Sequence, residues 1–249
     1  MTPDVDAPFY TEKFIHMPHC YQVNSIQLVS NRKRTKKDFG LPEEGFIFCS
    51  FNTNYKFDRI MFHVWMQILE KTPGSVLWLL SQNSAAETNL KAQAESCGVD
   101  SDRIIFTEKL PKPVHLSRLE LADLALDTRI VNGAASTSDV LRMGLPIITL
   151  KGTHFASRMS ASILTAIGLP ELITHDLEEY KKLAVHLANS GELNAIRNKL
   201  EKNKKTSPLF DTPRFVRNLE NAFKEVWEIY KNRQKPRQIE VKEILMETK

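Results

Sequence analysis

From Gly40 onwards, the chain alternates short apolar runs with longer segments in which apolar residues recur every three or four positions. The segment at 58–71, for example, places Ile60, Val64 and Ile68 on one face of a helix. This alternation is typical of βα units around a parallel sheet. The predicted strands cover 45–50, 75–80, 103–107, 124–126, 146–150 and 171–174. The predicted helices cover 58–71, 85–97, 114–122, a short segment ending at Gly144, 155–167, 176–188, 192–204 and 213 to about 233.

The predicted strands are apolar at mostly consecutive positions, which indicates a sheet covered by helices on both faces. We therefore predict an α/β fold with a Rossmann-like, doubly wound parallel sheet and a helical C-terminal extension. Residues 1–40 are predicted to form an N-terminal extension or linker, 41–205 the Rossmann-like domain, and 206–249 a C-terminal helix and basic tail. Ligands of such sheets bind beyond the carboxyl ends of the strands, so the loops there are the candidate sites.

Composition excludes several classes of protein. The 249 residues carry a formal charge of +4, with 42% hydrophobic and 26% charged residues, which is ordinary for a globular protein. No two of the nine glycines are separated by a single residue, so a G-x-G dinucleotide fingerprint is absent. The three cysteines show no C-x-x-C spacing, and the N-terminus lacks the apolar run of a signal peptide. We therefore predict a cytoplasmic protein with no metal centre and no membrane segment.

The loop after the first predicted strand contains a candidate phosphate ligand. Asn52, Thr53 and Lys56 lie there, just before a predicted helix. A lysine in this place can present its ammonium group to a phosphate, while the two short side chains supply polar groups. The alternative is a solvated loop lysine with Asp58 as the N-cap of the helix, and composition alone favours that alternative.

The loop after 103–107 predicts a cluster of cations. Lys112, His115 and Arg118 recur at a spacing of three, which places them on one side of a starting helix. Cations normally stabilise the C-terminal end of a helix, so three of them at an N-terminal end indicate an anionic or aromatic partner. The alternative is a solvated charged face, which this argument alone favours.

The loop at 127–139 carries the strongest local pattern. Its small residues Ala135, Ser136 and Thr137 are followed by Asp139. Small side chains let a ligand approach the backbone, and the unpaired N–H groups of a helix start attract phosphate. Ordinary N-capping by the hydroxyl groups explains the pattern equally well.

A fourth loop, at 151–158, adds Lys151 and His154 to the same edge of the sheet. A lone loop histidine is more often exposed than catalytic, so His154 by itself indicates little. Taken together, the four loops bring cations and a helix N-terminus to one edge. This combination predicts a site for a nucleotide diphosphate that needs no metal.

Colinear blocks of the sequence match a known family. They are Phe51-Asn-x-x-Tyr-Lys-Phe-Asp58, Pro73-Gly-Ser-Val-Leu-Trp-Leu-Leu80, Arg103-Ile-Ile-Phe106, Pro111-Lys-x-x-His115, Leu121-Ala-Asp-Leu-Ala-Leu-Asp-Thr128, Asn132-Gly133 with Asp139-Val-Leu141, Ala156-Ser-Arg158 and Ser207-Pro-Leu-Phe210. In this order the blocks resemble the C-terminal catalytic lobe of protein O-linked N-acetylglucosamine transferases. The resemblance extends from about Tyr10 to Lys235.

The resemblance implies a single C-terminal lobe of a GT-B glycosyltransferase of family 41, which transfers N-acetylglucosamine from UDP-N-acetylglucosamine to serine or threonine of proteins. By position, Lys56 is implied as the catalytic residue that stabilises the leaving UDP. The implied donor-binding residues are Asn52, Thr53, Lys56, Lys112, His115, Arg118, Ala135, Ser136, Thr137 and Asp139. The UDP-sugar is a substrate, so no cofactor and no metal are expected. Expected partners are protein acceptors and a separate chain that carries the N-terminal lobe or tetratricopeptide repeats.

Two departures from the family keep a second hypothesis open. The family usually has Gly-His-Thr-Thr where this chain has Gly133-Ala-Ala-Ser136, and often glutamine at the position of Thr53. The chain also has no 34-residue repeat and is too short for a second lobe. The alternative to an enzyme is therefore a non-catalytic module that binds a nucleotide sugar or acts as a scaffold.

The segment Asn31–Lys37 carries five positive charges and provides a third hypothesis. Such a run binds nucleic acid weakly and in a salt-dependent way. Its flanks lack interleaved aromatic residues and the whole chain carries only +4, so a solvated linker is favoured over nucleic-acid binding.

Overall fold

Two parallel sheets organise the computed structural model, which describes residues 4–32 and 34–243. The strands of this part of the chain are β1 Ile15–His16, β2 Ile47–Ser50, β3 Val76–Leu80, β4 Ile104–Thr107, β5 Leu124–Leu126, β6 Ile147–Leu150, β7 Ile173–Thr174 and β8 Ile239–Glu240. Six of them form the main sheet in the order β4-β3-β2-β5-β6-β7, all parallel. This is the strand order of a doubly wound Rossmann fold. The predicted fold class is confirmed.

Helices connect the strands of the main sheet and extend the chain beyond it. They are α1 Arg59–Glu70, α2 Ser84–Ser96, α3 Lys112–Arg118, α4 Ala135–Arg142, α5 Met159–Ala166, α6 Leu177–Asn189, α7 Leu193–Asn203 and α8 Thr212–Lys231. Every residue of β2, β3 and β5 is buried, so helices and loops cover both faces of the sheet. The wholly buried Trp65 of α1 and Trp78 of β3 lie in this core.

Local hydrogen bonds change two of the predicted elements. The helix predicted over 155–167 is a 3-10 turn at Phe155–Ser157 followed by α5. The Ser157 hydroxyl bonds both the backbone N–H and the carbonyl of His154, which closes a tight turn before the α-helix begins. The strand predicted over 171–174 starts as a 3-10 turn at Pro170–Leu172, because proline fixes the backbone and provides no ladder N–H.

The N-terminal extension and the C-terminal tail are joined in a way that the sequence did not predict. Strand β1 pairs in parallel with β8, with Ile15 opposite Ile239. The Glu243 carboxylate then bonds both Arg214 of α8 and His19. The extension is therefore tied to the tail, while the predicted domain division stays a prediction. Lys33 of the basic run and the tail beyond residue 243 lie outside the described residues.

Asp58 supports the entrance of α1 and provides a test of this part of the fold. Its carboxylate accepts the Met61 N–H at 3.0 Å and bonds Arg129, whose hydrogen bonds lower the pKa of Asp58. We expect Asp58→Ala to lower the free energy of unfolding by about 1–2 kcal/mol, measured by urea denaturation at pH 7. Because the folded-state pKa is lowered, this contribution is present above about pH 4 and is lost as the pH falls below it.

Asp58→Asn is the matched control, since it keeps a capping oxygen and removes the charge that Arg129 pairs with. It is expected to lose less stability than Asp58→Ala at pH 7. Equal stability of the alanine variant and the unmodified chain would contradict the assigned cap.

Candidate functional site

The strand order reverses between β2 and β5, and the loops that follow these two strands meet there. Buried Asn52, after β2, donates to the carboxylate of Asp127 and the hydroxyl of Thr128, each at 3.2 Å. Its amide oxygen accepts a hydrogen bond from the hydroxyl of Ser136 at 3.0 Å. One side chain thus links the end of β2 to the start of α4. Open α/β sheets bind their ligands in the crevice at this reversal.

The start of α4 offers free backbone donors. The N-cap residue is Ala134, which has no side-chain oxygen to accept the first N–H groups of the helix. The backbone N–H groups of Ala135, Ser136 and Thr137 have no partner within the helix, and they are therefore available to an anion. Gly133 precedes them because a Cβ at this position would lie 2.8 Å from the Ser136 hydroxyl and overlap that of Thr137.

Asp127 holds the loop that leads into α4, a role that the sequence analysis did not assign. Its carboxylate accepts the Gly133 N–H and the Thr149 hydroxyl, each at 2.7 Å. Its backbone carbonyl accepts the Tyr180 hydroxyl at 2.9 Å. Burial raises the pKa of Asp127, and hydrogen bonds to its carboxylate, from Ser160, Gly133 and Thr149 among others, partly offset the effect. The available signal was an acidic residue directly after a buried strand, where a charge needs internal partners.

Lys56 lies beside the same loop. It ends the 3-10 turn Asn54–Lys56, and its ammonium Nζ donates to the carbonyl of Asn132 at 3.1 Å. Asn132 immediately precedes Gly133 and is fully buried. A phosphate at the start of α4 would therefore meet a lysine ammonium and backbone N–H groups together.

Several buried polar atoms without a partner lie at the end of β2 and in the two loops. Among the described residues, Ser50 Oγ, Thr53 Oγ1, Asn132 Oδ1 and both side-chain polar atoms of Asn54 have no hydrogen-bond partner. A buried unpaired polar group costs about 1–3 kcal/mol. A polar ligand that satisfied some of these atoms would recover part of that free energy.

Two further predicted residues form an ion pair across the site. The Lys112 ammonium at the start of α3 bonds the carboxylate of Asp139 in α4. Burial raises the pKa of Asp139, and the lysine opposes that effect. The Asp139 carboxylate is an acceptor for hydroxyl groups such as those of a ribose.

His115 and Arg118 share α3 with Lys112 but differ from it in exposure. His115 is half-buried and lines a small cavity beyond β2 and β5, together with Asn52 and Ser136. Arg118 is only 1% exposed and bonds His115 instead of facing the crevice. Its predicted contact with a bound nucleotide stays a prediction, and burial makes an indirect role the better explanation of its position.

The fourth loop contacts the third, since the Asn132 N–H donates to the Ala156 carbonyl at 2.9 Å, but its two candidate residues do not line the cavity beyond β2 and β5. Lys151 lines a separate pocket beyond β6 and β7, with Arg158 and His175, and His154 takes part in the turn before α5. The structure therefore brings together the residues predicted in the first three loops and leaves those of the fourth apart. In the part of the chain that is described, no three His, Cys, Asp or Glu side chains lie close enough to hold a metal ion.

The site combines three chemically distinct parts, which come from the loop after β2, from α3 and from α4. An ammonium and free amides suit a diphosphate, a carboxylate suits sugar hydroxyls, and an imidazole beside aromatic rings suits a base. This combination is appropriate for a nucleoside diphosphate.

Comparison with known proteins agrees with the fold. The family model described as glycosyl transferase family 41 matches residues 7–219, which is most of the chain. The chain belongs to glycosyl transferase family 41. The predicted family is thereby confirmed.

Two curated family 41 relatives and one solved structure illustrate the similarity. A protein of Arabidopsis thaliana named "probable UDP-N-acetylglucosamine–peptide N-acetylglucosaminyltransferase SEC" is 41% identical over 245 residues, which are 95% of this chain and 25% of the relative. A UDP-N-acetylglucosamine–peptide N-acetylglucosaminyltransferase of Caenorhabditis elegans is 33% identical over 84% of this chain and 18% of the relative. A mutant O-GlcNAc transferase of Thermobaculum terrenum superposes with a TM-score of 0.81 at 25% identity, over 91% of this chain and 43% of that one.

This family 41 chain therefore spans a quarter or less of the length of these two curated relatives. It matches less than half of the solved relative. None of the helices within the described ranges is both long enough and apolar enough to cross a membrane.

Proposed function

We propose that this chain is the donor-binding lobe of a protein O-glycosyltransferase that uses UDP-N-acetylglucosamine and transfers N-acetylglucosamine to serine or threonine. One observation carries the proposal. The Lys56 ammonium lies beside the loop that enters α4, the first turn of α4 has no side-chain cap, and both lie where the strand order reverses. The names of the family 41 relatives supply the sugar and the acceptor class.

The site stabilises the leaving group in this proposal. When the bond between the sugar and the β-phosphate breaks, UDP leaves with the electron pair and negative charge grows on the phosphate. Lys56 and the amides of Ala135, Ser136 and Thr137 are donors fixed before the reaction, so they stabilise that charge without reorganising. Such donors are worth about 3–4 kcal/mol each in well-studied oxyanion sites.

The other predicted residues position the nucleoside in this proposal. Asp139 accepts the ribose hydroxyls, Lys112 stays beside it, and His115 lies at the base. Asn52 holds Ser136 in place, and the unpaired Thr53 hydroxyl gains a polar partner. The cations and amides supply the countercharge of the diphosphate, so we propose that no metal or other cofactor is needed for UDP binding.

The alternative is a module that binds the nucleotide sugar without transferring it. It is favoured by Ala134, which leaves the helix start without a side-chain donor or acceptor at the phosphate position. The two functions predict the same binding and differ in turnover.

Calorimetric titration at pH 7.5 tests the proposal with UDP, UDP-N-acetylglucosamine, GDP and ADP. We expect one UDP per chain, weaker binding of the two purine nucleotides, and unchanged UDP affinity in EDTA. The purified chain is then incubated with UDP-azidoacetylglucosamine and a cell extract to measure protein labelling. Labelling supports the enzyme, and binding without labelling supports the module. No binding of UDP would overturn both.

Protein acceptors and a second chain with the N-terminal part of the enzyme are the proposed partners. The cytoplasmic location stays a prediction.

A further inference from the structure

We infer that Arg118 is a positioning residue, which fixes the proton of His115 on Nε2 so that a neutral imidazole presents an N–H donor to the base of a bound nucleotide. The inference rests on the proposed nucleotide site. Its first test does not need a nucleotide, so the two can fail separately.

The hydrogen bonds of Arg118 decide the tautomer of His115. Both Nε and Nη2 of the guanidinium lie within hydrogen-bond distance of His115 Nδ1, at 3.1 and 2.9 Å. A guanidinium has five N–H donors and no acceptor, so Nδ1 must accept and cannot carry a proton. The single proton of the neutral ring is then on Nε2, which is the nitrogen left for a ligand.

Arg118 is itself held on all sides. Its Nη1 donates to the Thr107 hydroxyl at 3.2 Å and to the Glu108 carbonyl at 2.9 Å, at the end of β4. Its guanidinium carbon lies 4.6 Å from the ring centroid of Phe51 and 5.8 Å from that of Trp78. A buried guanidinium with this many partners keeps its orientation, and it keeps that of the imidazole with it.

The charges around His115 also favour the neutral ring. Burial is the first cause that lowers the pKa of His115, to about 4, and the positive charges of Arg118 and Lys112 lower it further. Three other ionisable groups lie beside these two cations. Glu108 and the buried Cys49 lie near Arg118, and Asp139 pairs with Lys112. His115 therefore stays neutral through the range from pH 5 to 8, and its contribution to ligand binding should not change there.

Phe51 completes the arrangement, since its ring stands edge-on to the imidazole at a centroid distance of 5.4 Å. The imidazole is thereby fixed in position, in tautomer and in charge before any ligand arrives. A preorganised donor of this kind loses no binding free energy to a protonation change or a ring flip.

Nitrogen-15 NMR of histidine-labelled chain without nucleotide tests the tautomer directly. His115→Gln identifies the signal of His115 among the seven histidines. We expect an unprotonated Nδ1, a protonated Nε2 and no titration above pH 5. A ring that titrates near pH 6.5, or that carries its proton on Nδ1, would overturn the inference whatever the variants do.

Arg118→Met tests the cause, because methionine fills the space between the two aromatic rings without a charge or a donor. We expect the His115 titration to move up toward its ordinary range and both tautomers to appear. The pH profile of the His115 ring in this variant, followed by nitrogen-15 NMR, should therefore change between pH 8 and pH 5.5, while that of the unmodified chain stays flat. Arg118→Lys keeps a charge and serves as the second variant, with an intermediate effect expected.

Arg142→Met is the matched control. Arg142 also stacks on a ring, with its guanidinium carbon 4.4 Å from the centroid of Phe210, but it bonds the Ser25 carbonyl and not His115. It should leave the titration of His115 unchanged. A purely structural role of Arg118 would lower the stability of Arg118→Met and leave its pH profile flat, which would overturn the inference. A chain with the expected NMR signals that binds no UDP would instead remove the proposed function, and with it the role of His115 toward a base.

Discussion

Lys56→Ala is expected to weaken the binding of UDP by about 10- to 100-fold, measured by isothermal calorimetry at pH 7.5. A hydrogen bond to a charged group contributes about 1.5–3 kcal/mol, and Lys56 supplies the ammonium group beside the loop that enters α4. Binding of uridine, which has no phosphate, should change little. The stability of the variant should also change little, since Lys56 is partly exposed and makes one bond to a backbone carbonyl.

Lys151→Ala is the matched control for the removal of a positive charge. Lys151 is exposed at the end of the neighbouring strand β6 and belongs to the separate pocket beyond β6 and β7. It should leave UDP affinity within about twofold, because exposed charges at a distance are screened by salt. Equal affinities of Lys56→Ala and the unmodified chain would remove Lys56 from the site.

Gly133→Ala is expected to damage both the fold and the site. The added methyl group would lie 2.8 Å from the Ser136 hydroxyl and 3.2 Å from the Thr137 backbone nitrogen. The Thr137 hydroxyl, which it also meets, bonds the buried Ser160 hydroxyl at 2.7 Å and is not free to turn away. We expect the free energy of unfolding to fall by about 1–3 kcal/mol and UDP affinity to fall at least tenfold.

Gly98→Ala separates these two effects. Gly98 follows α2 with a φ of +78° and has open space around its Cα, so alanine there costs about 1–2 kcal/mol of backbone strain without touching the site. Denaturant titration and calorimetry of both variants should give similar losses of stability but a loss of affinity only in Gly133→Ala. Unchanged affinity in Gly133→Ala would show that the start of α4 does not hold the phosphates.

Much of the site was predictable because its residues lie in short loops directly after apolar strands. A parallel sheet brings the carboxyl ends of its strands to one edge, so Lys56, Lys112 and the α4 start could be placed on that edge from strand order in the chain alone. Residues on the same edge can still lie several strands apart, however, and the sequence does not say which strands are neighbours. Lys151 was therefore grouped with Lys56, although the observed order places it beyond β6 and away from the reversal.

The spacing of residues along one helix also failed to predict which of them are exposed and which are buried. Lys112, His115 and Arg118 share the side of α3 that their spacing of three predicted, yet one is exposed, one half-buried and one almost fully buried. The difference comes from Phe51, directly after β2, and Trp78 of β3: both rings lie against the Arg118 guanidinium, whereas His115 contacts Phe51 edge-on. A long-range packing contact of this kind has no local signal. The same is true of the pairing of β1 with β8, whose residues are more than 220 positions apart.

The sequence by itself determined the class of fold, the family and the set of loops that carry the chemistry, because periodicity and motifs are local properties of the chain. The tertiary structure decided the strand order, the internal role of Asp127 and the division of the cations into Lys56 at the α4 start and Arg118 behind His115. Burial and hydrogen bonding depend on neighbours that are distant in the chain, so the charge and the function of a side chain are settled only when the fold brings those neighbours to it.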